Sequence, residues 1–222
     1  DGIRDRSPSR GLGDVYKRQV EDEGVFPINW LCEGPLYQHL LERPSTWFVK
    51  VLFQFHTNMN QEDKKSQLTQ LRKLSGVCSE LKRKLMVELI ISQNFSQEDA
   101  STVNEVVLTE TIDEVYKEGV YPYWWKINAL DSKEKWVNLN EVIDKNDPEV
   151  GVIFQYNYSQ IEKLPASFGT LRSNSQSYGL AVGHSIYWEP WENYINGNAD
   201  DAEVISEAVE RFQKLLKVWS DL

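Results

Sequence analysis

The chain has 222 residues, 41% hydrophobic and 12% aromatic, with a formal net charge of −10. That is enough apolar material for the core of one domain, and it excludes wholesale disorder. The acidic balance, with a pI near 4.9, argues against nucleic acid or a polyanionic membrane surface as the main partner, while leaving room for a small anionic ligand in a locally positive pocket.

No apolar run reaches the ~20 residues of a membrane span, and the charged N-terminus lacks the apolar stretch of a signal peptide. Cys32 and Cys78 are the two cysteines, in no CxxC or metal-like spacing. They read as reduced thiols of a cytoplasmic protein.

Residues 1–19, DGIRDRSPSRGLGDVYKRQ, are polar, rich in Gly, Ser and Arg, and without period. They resemble translated adapter read-through at the end of a metagenomic reading frame. They are set aside as a non-native, disordered segment, with residues 20–222 taken as the folded domain.

From there a strand-then-helix rhythm runs to the end. Apolar, β-branched or aromatic runs at 25–28, 47–55, 84–91, 121–127, 150–156 and 179–183 predict strands. Between them, Leu68, Leu71, Leu74, Cys78 and Leu81 fall at helical spacing. A second helix follows over 101–118 with Gly119 as its stop signal, and a third opens on an Asp131/Glu134 capping box. The last, from about Asp201, carries Val204, Ala208, Phe212, Leu215 and Trp219 on one side. Alternating strands and helices predict a parallel sheet covered by helices, which fits a barrel and a doubly wound sheet equally well.

Three strands contain one charge each amid apolar residues: Lys50, Glu88 and Lys126. Burying an unpaired charge is costly, so each needs a partner or a task. Brought together in a barrel mouth, two lysines lower each other's pKa and make a free amine available for attack on a carbonyl. The carboxylate can shuttle the protons. The plainer reading of the same residues is a structural Lys–Glu bridge or solvated strand ends.

Gly183-His184-Ser185 follows a short apolar strand, where backbone N–H groups can take a phosphate; a plain strand-to-helix turn is the alternative. His39 and His56 have no metal-ligand spacing, so no metal is expected. Nor is there a GxGxxG, P-loop or GxSxG motif, and no cofactor is expected. Trp124-Trp125 and Tyr187-Trp188-Trp191 read as packing residues.

TWFVKVLFQF, KLMVELII, GVYPYWWKINALD and GLAVGHSIYWEPWENYINGNADDAEVISEAVERFQKLLKVW, in that order, resemble the aldolase-like domain appended to bacterial 5-dehydro-2-deoxygluconokinase of myo-inositol catabolism. That domain is in turn similar to tagatose-1,6-bisphosphate aldolase. The resemblance implies a partial TIM (β/α)8 barrel, with strands three to eight present and the first two missing, so that these residues alone would not close the barrel and would be inactive.

It further implies a class I, Schiff-base aldolase acting on a phosphorylated keto sugar or keto acid, with 6-phospho-5-dehydro-2-deoxygluconate as the named substrate. Lys126 matches the imine-forming lysine, Glu88 the acid/base carboxylate, Lys50 a substrate-facing lysine, and Gly183 and His184 the phosphate loop. Fusion to a sugar kinase and homo-oligomerisation are further expectations. Three positions depart from the pattern: His184 where the family has Arg, Asn29 in place of a glutamate, and Gln155 in place of a small residue. His184 and Asn29 favour the alternative of a non-catalytic sugar-phosphate-binding or regulatory barrel; a transaldolase-like transferase is a third reading.

Overall fold

The computed structural model describes residues 17–21, 26–30, 34–56, 59–92, 105–128, 130, 132–155 and 178–220. In chain order these form β1 (Lys17–Gln19), α1 (Leu36–Leu41), β2 (Phe48–His56), α2 (Gln61–Glu80), β3 (Leu85–Ser92), α3 (Glu105–Lys117), β4 (Trp124–Asn128) and α4 (Lys133–Asn146). After them come β5 (Gly151–Gln155), β6 (Tyr178–Ala181), α5 (His184–Ile195) and α6 (Asp201–Ser220).

The six strands make one sheet in the order β1-β2-β3-β4-β5-β6, each pair parallel. Sequential order is what successive right-handed crossovers on one side produce. A doubly wound sheet reverses its order part-way, so this topology excludes it. The fold is α/β, of the sequential kind from which (β/α) barrels are built, with β1 and β6 as the outer strands.

Alternation along each strand divides the sheet into two faces. Val49, Val51, Phe53 and Phe55 of β2, Val87 and Leu89 of β3, Trp125 and Ile127 of β4, and Val152 and Phe154 of β5 form one face and are all buried. The helices cover it. Leu71 and Leu74 of α2, Ile112 and Val115 of α3, and Trp136 and Leu139 of α4 join the same core cluster. The Trp136 ring meets Phe154 edge-on at 4.5 Å, and Trp125 Nε1 donates to the Tyr116 hydroxyl at 2.8 Å. Trp125 is thus the packing residue expected of it.

The other face curls inward. Phe48 of β2 and Trp124 of β4 stack at 4.4 Å between centroids, although β3 runs between their strands. Strands in a flat sheet lie about 4.8 Å apart, so two strands separated by a third meet their rings this closely when the face is concave.

Helix ends follow local rules. Asn60 caps α2 by accepting from Asp63 N at 2.8 Å. Gly119 ends α3 at φ +77, a region where glycine pays no Cβ penalty. There Val120 N reaches back to Val115 O and Gly119 N to Tyr116 O. Asp200 and Glu203 form a reciprocal box before α6, with side-chain to backbone contacts of 2.9 Å each way.

Three expectations are corrected. Phe26–Ile28 is not a strand: Ile28 N–H goes to Gln67 Oε1 of α2 at 2.7 Å, and Pro27 has no N–H to give a ladder. The first strand is instead Lys17–Gln19, within the segment set aside as non-native, because pairing with the edge of β2 uses the backbone and is indifferent to polar side chains. The cap of α4 is Ser132, whose hydroxyl accepts from Lys135 N. Asp131 lies outside the described residues, as do Cys32, Val25 and the side chains of His56 and Trp219. Tyr187, Trp188 and Trp191 are 42–48% exposed, so these rings of α5 do not serve the core as expected. Cys78 is a buried free thiol.

Candidate active site

Parallel register sets the site. Leu52 of β2 pairs with Glu88 of β3, and Glu88 pairs with Lys126 of β4. Paired residues in a parallel sheet project to the same side, so Glu88 and Lys126 stand next to each other on the concave face. Lys50, two residues before Leu52, shares that face one level nearer the N-terminal ends of the strands.

The three charges meet. Lys126 Nζ donates to Glu88 Oε1, and Lys50 Nζ pairs with Oε2 of the same carboxylate. Glu88 and Lys126 are buried, at 5% and 8% exposure, and Lys50 is partly buried. The structure therefore brings together the three strand charges singled out from the sequence, in the middle of their strands and not at the C-terminal tips.

Burial pushes the Glu88 carboxyl up, but the two ammonium groups outweigh it and hold the group below the ordinary carboxylate range. Glu88 is thus an anion at neutral pH, held between the side chains of Lys50 and Lys126.

A floor and a rim complete the face. Towards the N-terminal ends, Phe48, Tyr123 and Trp124 form an aromatic layer, with Lys84 Nζ 4.1 Å from the Tyr123 ring centre and Met86 buried among the strands. Towards the C-terminal ends, Asn128 pairs in register with Gln155, and Gln54 lies on the same face of β2. These amides, each partly exposed, put neutral hydrogen-bonding groups above the charges.

Glu21 is a buried carboxylate near this site that the sequence does not single out. It lies two residues past the end of β1, in an isolated antiparallel bridge with Trp30, and its side chain reaches the edge of β2 at Leu52. Its Oε1 accepts from Leu52 N at 2.8 Å and its Oε2 from Val20 N at 3.3 Å. Burial pushes its carboxyl above the ordinary range, against the pull of these backbone bonds and of Lys50. In the sequence Glu21 opens an acidic Glu-Asp-Glu run beside the segment set aside, and nothing there marks it as buried.

Gly183 is exposed and stands at the N-terminus of α5, just beyond β6, with nothing within 4 Å of where a Cβ would lie. The His184 side chain lies outside the described residues. Among the described residues, no three or more His, Cys, Asp or Glu side chains are grouped to hold a metal ion, and no helix is long and apolar enough to cross a membrane.

Residues 11–222 match the family model described as "Uncharacterized protein conserved in bacteria (DUF2090)". The chain belongs to this family. The match of this DUF2090 chain starts inside the segment set aside on composition, in keeping with the strand found at Lys17–Gln19. Among solved structures, it is similar to the crystal structure of Cgl0159 from Corynebacterium glutamicum, with a TM-score of 0.53 and 11% identity. The likeness covers 93% of this chain and 64% of that one, and at this identity it speaks for the fold alone. No curated protein matches the chain.

Proposed function

We propose that this DUF2090 domain is the lysine-bearing part of a class I, Schiff-base aldolase-type lyase acting on a phosphorylated keto sugar or keto acid. The observation that carries the proposal is the contact of two lysines with one buried glutamate on the concave face of a sequential parallel sheet. The likeness to the aldolase-like domain of 5-dehydro-2-deoxygluconokinase supplies the substrate class, with 6-phospho-5-dehydro-2-deoxygluconate as its named member.

Each step uses a group already placed. Glu88 takes a proton from Lys126, whose neutral amine then attacks the carbonyl carbon. The carbonyl electron pair moves to oxygen; Glu88 gives its proton to that oxygen, takes a second proton from the attacking nitrogen and passes it on as well, so that the oxygen departs as water and an iminium remains. Glu88 then takes the proton of the β-hydroxyl. The carbon–carbon bond breaks, its electrons enter the iminium to give an enamine, and an aldehyde leaves. Protonation of the enamine carbon and hydrolysis of the imine free Lys126. Lys50 offers positive charge to the substrate oxygens throughout, and the backbone N–H groups after Gly183 offer a seat for the phosphate.

The test is borohydride reduction with 6-phospho-5-dehydro-2-deoxygluconate or tagatose 1,6-bisphosphate, followed by peptide mass spectrometry. A reduced adduct on Lys126 supports the proposal; an adduct on Lys50, or on no lysine, refutes it. The second reading, a sugar-phosphate-binding domain without chemistry, draws on the same triad, because both lysines are already engaged by Glu88. It predicts ligand binding with no adduct at all.

A further inference from the structure

Helix α6 carries two apolar sides. One packs on the core: Leu215 is buried, and Ala208 and Val218 lie against the same cluster. The other is made by Ile205, Val209, Phe212 and Leu216, which keep 64%, 49%, 44% and 46% of their surface in the open. By helical geometry this second stripe lies roughly 100° round the helix from the core side. Single exposed apolar side chains are ordinary, but four in one line form a patch. Half-exposed, and at roughly 200 Å² for a large side chain, they leave roughly 400 Å² of apolar surface, the size at which a patch on a monomer marks an interaction site. The margin of the stripe away from the core, at Ser206 and Gln213, is uncharged, as the centre of a protein interface is.

The spacing says what fits there. Steps of four, three and four residues between these positions are those of a seam between two helices. Run backwards about a point between Glu210 and Arg211, the stripe is its own complement. Ile205 then comes level with Leu216 of a second copy, and Val209 with Phe212, a small side chain opposite a large one.

Charge sets the direction. Asp201, Glu203, Glu207 and Glu210 occupy the first half of α6, and Arg211, Lys214 and Lys217 the second. A helix dipole favours this order only within the first and last turns, whereas Glu207, Glu210, Arg211 and Lys214 sit in the middle. Arg211 is held by Glu189 and Glu207 of its own chain, while Lys214 and Lys217 are exposed. Two copies of α6 running the same way would set acid against acid and base against base. Running opposite ways, Glu203 comes level with Lys217 of the second copy, and Glu207 with Lys214.

We infer that the chain forms a two-fold dimer in which the Ile205–Leu216 stripe of α6 packs antiparallel on the same stripe of a second copy. The inference does not depend on the lyase reading. Three turns of helix bury less than the ~800 Å² per partner of a standard interface, so the dimer is a reversible one.

Sedimentation velocity of the full chain over a concentration series is the first test. The expected result is a reversible shift from 25.8 kDa to twice that mass, with a midpoint on the order of 10 μM. Phe212→Glu and, separately, Val209→Lys put like charges face to face at the centre of the seam. Each is expected to raise the midpoint roughly 100-fold and to leave the Tm of the dilute monomer unchanged, because both side chains are exposed. Orientation is read by disulfide cross-linking in a Cys32→Ser background: Ile205→Cys is expected to cross-link when mixed with Leu216→Cys, and neither variant with itself. A chain that stays monomeric at every concentration, a dimer indifferent to both charge insertions, or cross-linking of Ile205→Cys with itself overturns the inference. So does growth beyond two copies, which would implicate the open edges of β1 and β6 instead. Loss of Tm in both dilute charge variants overturns it as well, since the chain's own residues would then cover the stripe.

Discussion

Glu88 stands directly opposite Lys126 in the β3–β4 register, and its Oε1 accepts the hydrogen bond from Lys126 Nζ. One residue pair thus combines the two things an imine-forming lysine requires: a fixed place on a rigid strand and a base within proton-transfer reach. Lys50 occupies the second carboxylate oxygen, so Glu88 does not lose its last counter-charge when Lys126 turns to a substrate.

Lys126→Met is expected to abolish both borohydride trapping and carbon–carbon cleavage while leaving a cooperative thermal transition. Methionine retains much of the apolar stem of lysine but has no amine, and Lys50 still compensates Glu88. Lys126→Arg is expected to fail in the same assays, because a guanidinium stays protonated and cannot act as the nucleophile. Cleavage by the folded Lys126→Met protein would remove Lys126 from the mechanism.

Glu88 and Glu21 are expected to shape acid stability in opposite directions. The folded-state pKa of Glu88 is lowered, so its stabilisation is present above the ordinary carboxylate value of about 4.3 and is lost as pH falls through the lower folded value. The Tm advantage of the unaltered protein over Glu88→Gln is therefore greatest near neutrality and closes in acid. The folded-state pKa of Glu21 is raised, so its contribution is full below about 4.3 and is lost as pH rises through the folded value. The Glu21→Gln variant is expected to gain on the unaltered protein over that rise. Thermal melts across an acid-to-neutral series check both, and parallel trends in the two variants would contradict the assignment. In activity assays, Glu88→Gln is expected to lose a factor of about 10²–10⁴ in cleavage rate.

Gln67→Leu is expected to destabilise the protein by about 1–3 kcal/mol, as read from denaturant unfolding. Gln67, at 1% exposure, accepts from Ile28 N at 2.7 Å and donates to Gln54 O at 3.2 Å. Leucine fills the space and leaves a buried N–H without its acceptor. An unchanged unfolding midpoint would mean that the 26–30 segment is not held by α2.

His184→Arg is expected to tighten binding of phosphorylated ligands, measured by calorimetry with 6-phospho-5-dehydro-2-deoxygluconate. A guanidinium at the start of α5 adds a bidentate anion partner to the helix N-terminus. Equal affinity in the two proteins would place the phosphate elsewhere.

The apolar runs of β2 to β5 were legible because the helix-facing side chains of these strands are buried. Leu68, Leu71, Leu74 and Cys78 likewise announced the buried side of α2, and Gly119 the end of α3. Lys50, Glu88 and Lys126 stood out because a charge inside an apolar strand needs an explanation from any nearby chain. Periodicity is a local property, and a single sequence carries it.

Register is not local. Whether Glu88 faces Lys126 or lies a residue away depends on hydrogen bonding between strands separated by a helix and its loops, and no repeat in the chain encodes that offset. The same holds for strand order, which separates this sequential sheet from a doubly wound one built of the same elements. It holds for β1, a polar tripeptide made into a strand by the open edge of β2. It holds most for Glu21, whose carboxylate is buried against the backbone of Leu52: the run that follows it in sequence is acidic, and its environment is supplied by residues about thirty positions away.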